Sequence, residues 1–209
     1  MQQPSTASKP RAIAASLGLA LAAGGCWLAA VVAIAPLQAG GGGTWLPMAA
    51  SGARDAPEAA AFNALAFVLP GLLAAALAWR ARSAASRLAA WPTRLGWQCV
   101  LLSALAFAAQ GLLPLDLADL DGTASRGHAV AWTLWWIAFV PGVLLLAAGS
   151  WSDASRRATT AALHVVAGLT MLLLAWRIQG LSGQWLATVL WLAWLPLAAV
   201  TGKGLARPA

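Results

Sequence analysis

Six long apolar runs, separated by short polar stretches, dominate the chain. They predict helices at about 12–35, 59–79, 95–115, 129–149, 160–176 and 185–201. Most match the roughly 20 residues that cross about 30 Å of hydrocarbon, and the last two, at roughly 17, sit at the lower limit. The first run stops at Pro36 and gives way to a flexible stretch, Gly40 to Gly43. Residues 1–11, with Pro4, Ser5, Ser8 and Pro10, read as disordered. Residues 202–209 read as a short tail. The expected fold is all-α, a polytopic membrane bundle of six transmembrane helices.

Runs two, four and six each carry a proline about 11 or 12 residues from their start: Pro70, Pro141 and Pro196. Proline removes one ladder hydrogen bond and bends a helix, and neighbouring helices accommodate the bend. Two readings stand open. The prolines form a shared mid-membrane kink, or they are ordinary, since proline is frequent in membrane helices.

Composition narrows the class. Of the 209 residues, 61% are hydrophobic and 9% charged, against about 25% charged in soluble domains. A net charge of +7 would suggest nucleic acid only if the basic residues formed a face. They sit in short loops instead, so no nucleic-acid partner is expected. Ten of the 13 Lys and Arg fall at the N-terminus, in the second and fourth loops and in the tail. Positive-inside asymmetry then puts both termini in the cytoplasm of a prokaryotic cell, with five of the six acids, all but Asp153, outside. The first run, about 24 residues, exceeds the roughly 7–15 of a signal-peptide core and reads as an uncleaved helix. Cys26 and Cys99 lie inside apolar runs and read as small buried residues, not as a disulfide. Of 13 tryptophans, Trp45, Trp79, Trp91, Trp97, Trp151, Trp176 and Trp185 fall near predicted helix ends, where indoles anchor at the interface.

Chemistry concentrates in one stretch, from Gln110 to His128. It holds Asp116, Asp119, Asp121, Arg126 and one of the two histidines, between two apolar runs. Charge kept beside hydrocarbon is costly, which makes such a cluster a functional-site candidate. His128 and His164 fall at opposite ends of their helices, on the order of 20 Å apart at 1.5 Å per residue. They share neither an iron nor a zinc, and no cofactor or metal site is expected. Aligning Gly122 with the invariant glycine of a calcium loop puts Leu117 and His128 where carboxylates are required. That match fails.

Two site readings remain. In the first, Ser51, Asn63, Gln110, Asp116 and His128 form an outward-facing polar pocket walled by Trp132 and Trp135. That pocket holds a lipid, a small ligand or a membrane-protein partner. In the second, Asp116 and His128 act as an acid–base pair, with Ser51 as nucleophile, in a hydrolase acting on lipid or glycolipid. A small transporter ranks third, because no helix carries a charge in its predicted middle. His164 reads as an interhelical hydrogen-bond partner.

The segments Leu46-Pro-Met-Ala-Ala-Ser51-Gly-Ala-Arg54-Asp55-Ala-Pro57, Phe62-Asn63 and Pro70-Gly71-Leu-Leu, with the later Gly111-Leu-Leu-Pro114-Leu-Asp116 and Gly127-His128, carry a resemblance. In span order they are similar to the domain-of-unknown-function 998 family. The resemblance implies a six-helix bacterial or archaeal membrane protein without an established activity. Here Gly52 follows Ser51 where that family has an acid, and Asp55 and Glu58 are displaced.

Overall fold

A computed structural model describes residues 8–37, 47–85, 89–150, 157–177 and 181–201. Among them every regular element is helical, and six helices are long and apolar enough to cross a membrane. α1 (Ser8–Ala29) continues through a wide turn, Ala30–Ile34, and a tight one, Ala35–Leu37. A short 3-10 turn, Met48–Gly52, precedes α2 (Ala59–Asn63), which passes through a second wide turn, Ala64–Val68, into α3 (Leu69–Ala84). α4 (Trp91–Leu112), α5 (Thr123–Ser150), α6 (Arg157–Arg177) and α7 (Leu181–Thr201) complete the bundle.

Helix ends differ from those predicted, for reasons local to each. α4 starts at Trp91 instead of 95 because Pro92 occupies the first turn, where its missing N–H would be unpaired anyway. It stops at Leu112 because Leu113 precedes Pro114 and takes a non-helical φ of −119°. α5 starts at Thr123 instead of 129; Arg126 N–H closes its first turn on Gly122 O at 3.0 Å. His128 therefore lies inside a helix, not at its mouth. α3 runs on past Trp79 and carries Arg80 and Arg82. α6 and α7 have 21 residues each, which removes the expected shortfall. Helix α1 already includes residues 8–11, expected as disordered; residues 1–7, Gly40–Gly43, Trp45, Trp151, Asp153 and the tail lie outside the described residues.

Large aliphatic residues point outward along the helices, among them Leu21, Leu72, Leu102, Ile137, Leu173 and Val200. The interior is built mainly of alanine, glycine and aromatic rings, with a few aliphatics such as Leu77, Val100, Val143 and Leu195. This distribution suits hydrocarbon around the bundle, where helix association relies on close packing instead of water exclusion. α4 and α5 pack antiparallel through small residues: a Cβ on Gly96 would meet Gly142 O at 2.9 Å, and one on Gly142 would meet Cys99 Cβ at 3.0 Å. Gly71 does the same for α3 on α4, with Ala108 N at 2.6 Å. A ladder of rings runs through the space so framed, Phe62–Phe67–Phe107–Trp135–Trp132, with Trp191 of α7 against Phe107 and Trp135.

The tryptophans divide. Trp79 and Trp91 are 62% and 68% exposed, as interfacial anchors should be. Trp97 is not an anchor: it is 1% exposed and packs 6.3 Å from the Trp194 ring. With α4 starting earlier than predicted, Trp97 falls a turn and a half inside the helix, facing the core. Trp194 Nε1 donates to His164 Nδ1 at 3.2 Å, so His164 joins α6 to α7.

Candidate functional site

The end of the bundle that carries the acidic loop is closed by residues 47–58. Met48, Ala49, Ala50, Gly52 and Ala53 are buried there, which is unusual for a polar-rimmed connection and requires its backbone to find partners. Ala49 N–H donates to Gln184 Oε1 of α7 at 3.0 Å, and Arg54 N–H to Leu115 O at 2.9 Å. Trp27 Nε1 of α1 donates to Met48 Sδ at 3.1 Å. Asn63 Nδ2 donates to Gly52 O at 2.7 Å. Asn63 thus fastens this segment, and Ser51 sits half-buried within it.

Asp116 holds the neighbouring loop in shape. Its Oδ1 accepts the amides of Ala118 and Asp119 at 3.0 and 3.2 Å, and its Oδ2 lies 3.9 Å from Arg54 Nη1. An exposed pair at that distance contributes about 0–1 kcal/mol; the turn hydrogen bonds matter more. Ser125, in the first turn of α5, accepts Asp116 N–H at 3.1 Å, and its hydroxyl lies 3.0 and 2.9 Å from the carbonyls of Asp116 and Asp119. Asp119 and Asp121 are exposed.

Beneath this shell lies a different group of residues. His128 is 6% exposed, and its Nδ1 lies 3.2 Å from Gln110 O and 3.0 Å from Leu113 O, the carbonyls freed where α4 ends. Two acceptors on Nδ1 assign the proton to that nitrogen, which leaves Nε2 a lone-pair acceptor in the neutral ring. Nε2 is buried with no partner among the described residues. Gln110 is 0% exposed, and neither its amide nitrogen nor its amide oxygen is paired among the described residues. The indole N–H groups of Trp135 and Trp191 and the Ser103 hydroxyl are buried and, among the described residues, unpaired as well. Phe107 packs against both indoles, at 5.0 and 4.5 Å between ring centroids. Ser103, Phe107 and Gln110 recur at i, i+4 and i+7 on one face of α4, and His128 and Trp135 at i and i+7 on α5.

The structure therefore brings Gln110, His128 and Trp135 together, with Trp132 half-buried and its ring 5.0 Å from Trp135. Ser51 lies in the closing segment, and Asn63 and Asp116 make their side-chain hydrogen bonds to Gly52 and to Ala118 and Asp119. No hydrogen bond joins Asp116 to His128 among the described residues: the Asp116 oxygens meet Ala118, Asp119 and Arg54, and His128 Nδ1 meets the α4 carbonyls. Gln110 and His128, expected to line a pocket opening outward, are both buried. Sequence reasoning missed Ser103, Phe107 and Trp191. The first two were within reach from helical spacing with Gln110; Trp191 was not, because nothing local aims α7 at α5.

Fold and site together define a multi-pass helical membrane protein whose interior holds an uncharged polar patch among aromatic rings. Comparisons with protein-family models, curated proteins and solved structures find no match.

Proposed function

We propose that the protein is a non-enzymatic membrane protein that binds an uncharged, membrane-soluble molecule at the Gln110–His128–Trp135–Trp191 patch. The observation that carries this is Gln110, a fully buried carboxamide with both polar atoms unpaired. A buried polar group without a partner costs about 1–3 kcal/mol, and His128 Nε2, Trp135 Nε1 and Trp191 Nε1 are likewise unpaired among the described residues. No Asp, Glu, Lys or Arg stands among Ser103, Phe107, Gln110, His128, Trp135 and Trp191, so an ionic ligand would find no counter-charge. Two indole N–H groups and the Gln110 amide suit carbonyl or hydroxyl oxygens of a ligand. His128 Nε2 and Gln110 Oε1 suit a hydroxyl donor. The ring walls favour a flat headgroup.

In this reading the chain sits in a prokaryotic cell membrane with both termini in the cytoplasm, supported by the Lys and Arg distribution. Residues 47–58 then cover the patch from outside, and the ligand arrives from the lipid phase. The likeness to the domain-of-unknown-function 998 family belongs to the same proposal and fits the six-helix order.

The test is extraction. Wild type and Gln110→Leu are purified with native lipid in polymer discs, extracted with organic solvent and compared by mass spectrometry. An uncharged compound near one per chain in wild type, and depleted in Gln110→Leu, is the expected result. Matching extracts from two folded proteins would remove the proposal.

A further inference from the structure

At the opposite, arginine-rich end, α3 and α4 frame a groove of about 270 Å³ lined by Arg82, Trp91, Arg94, Leu95 and Gln98. Arg82 sits in the last turn of α3 and Arg94 in the first turn of α4. No acidic residue occurs in the sequence between Glu58 and Asp116, and among the described residues neither arginine has an acidic partner. Arg82 Nε is shut off from solvent and has no hydrogen-bond acceptor among the described residues. That N–H is placed to meet the oxygen of an anion, which a planar guanidinium binds well.

Two further observations indicate what that anion belongs to. Trp91, largely exposed, lines the groove, and Trp79, exposed as well, stands three residues before Arg82 on α3; such indoles set the groove at headgroup depth. From its edge an exposed aliphatic stripe runs down α4, through Leu95, Leu102 and Leu105, at spacings that keep one helix face. A free anion has no use for that stripe; an acyl chain does.

We propose that this groove is a binding site for the phosphate of an anionic phospholipid, with Arg82 and Arg94 on the phosphate, Gln98 on the headgroup and the acyl chain along Leu95, Leu102 and Leu105. Basic pockets between membrane helices recognise lipid headgroups by this chemistry. The site is independent of the buried patch near Gln110, which lies near the other end of α4.

The experiment uses the full chain in detergent, titrated with phosphatidylglycerol, phosphatidylcholine or inorganic phosphate, with bound lipid counted by native mass spectrometry. Wild type is expected to retain one phosphatidylglycerol in preference to phosphatidylcholine, undisturbed by inorganic phosphate. Arg82→Gln with Arg94→Gln should weaken retention about thirty-fold, while Arg80→Gln, outside the groove, should not. Equal loss in Arg80→Gln, or displacement by inorganic phosphate, overturns the proposal. A photo-crosslinking phosphatidylglycerol applied to wild type keeps the test independent of variant folding. Label concentrated on residues 91–105 supports the site, and label spread over all helix ends overturns it.

Discussion

Replacing Gln110 with leucine should change sign with the lipid environment. In protein stripped of co-purifying lipid, the substitution removes two unpaired buried polar atoms and keeps much of the volume. At about 1–3 kcal/mol per orphaned group, the lower bound for two is a gain of about 2 kcal/mol. For a chain of this size that corresponds to a rise in Tm of about 4–8 °C. In protein purified with native lipid the comparison reverses. A ligand present at a hundred times its Kd stabilises wild type by about 2.7 kcal/mol, and Gln110→Leu forfeits most of that. The assay is thermal unfolding of both proteins in both preparations, followed by tryptophan emission, since Trp135 and Trp191 report from the patch itself. Wild type should lose Tm on delipidation while the variant should not. If Gln110→Leu lowers Tm equally in both preparations, the amide is satisfied within the protein and the reasoning fails.

Other outcomes follow from the packing. Gly71→Ala places a methyl within 2.6–2.8 Å of Ala108 N, Ala108 Cβ and Ala104 O, where backbone cannot yield, and should cost about 1–3 kcal/mol; Gly24→Ala, with nothing within 4 Å, should be neutral or mildly stabilising, and thermal unfolding of the pair checks both. Asn63→Ala should free the segment at residues 47–58 at a cost of about 1–3 kcal/mol, seen as faster proteolytic cleavage near Arg54 in intact discs. Pro70→Ala should leave that cleavage rate at the wild-type level.

Six helices were legible because a lipid-crossing run is long, apolar and nearly free of charge. Their ends were not, because the terminal turns are built of residues that hydropathy assigns to loops: Thr93 and Arg94 in α4, Thr123 to Arg126 in α5. That misplacement moved His128 from a helix mouth to the interior and Trp97 from interface to core. Gln110 and His128 stood out as polar residues against apolar surroundings. Asp116 stood out for the same reason, yet its work is to cap a turn, which depends on the path of loop 113–122. Contacts such as Ala49 with Gln184, 135 residues apart, have no local trace. The buried patch needs α7 against α5, and helix order alone does not give that packing.

The prolines show how tertiary contacts decide local geometry. Pro70 and Pro36 each follow a π turn, in which Leu69 N–H reaches Ala64 O and Ala35 N–H reaches Ala30 O, five residues back. Pro141 and Pro196 sit inside continuous α-helix. The three mid-helix prolines therefore share a position and not a single device. Closing the turn before Pro70 to α geometry would gain about one net hydrogen bond, near 1 kcal/mol, once the proline was gone. It would also rotate α2 by about 100° per residue removed from the turn. Phe62, fully buried, and Asn63, bonded to Gly52, would both leave their places, and the orphaned Gly52 carbonyl alone would cost about 1–3 kcal/mol. The loss exceeds the gain, so the wide turn is held by what α2 fastens at the end of the bundle, and the proline merely tolerates it.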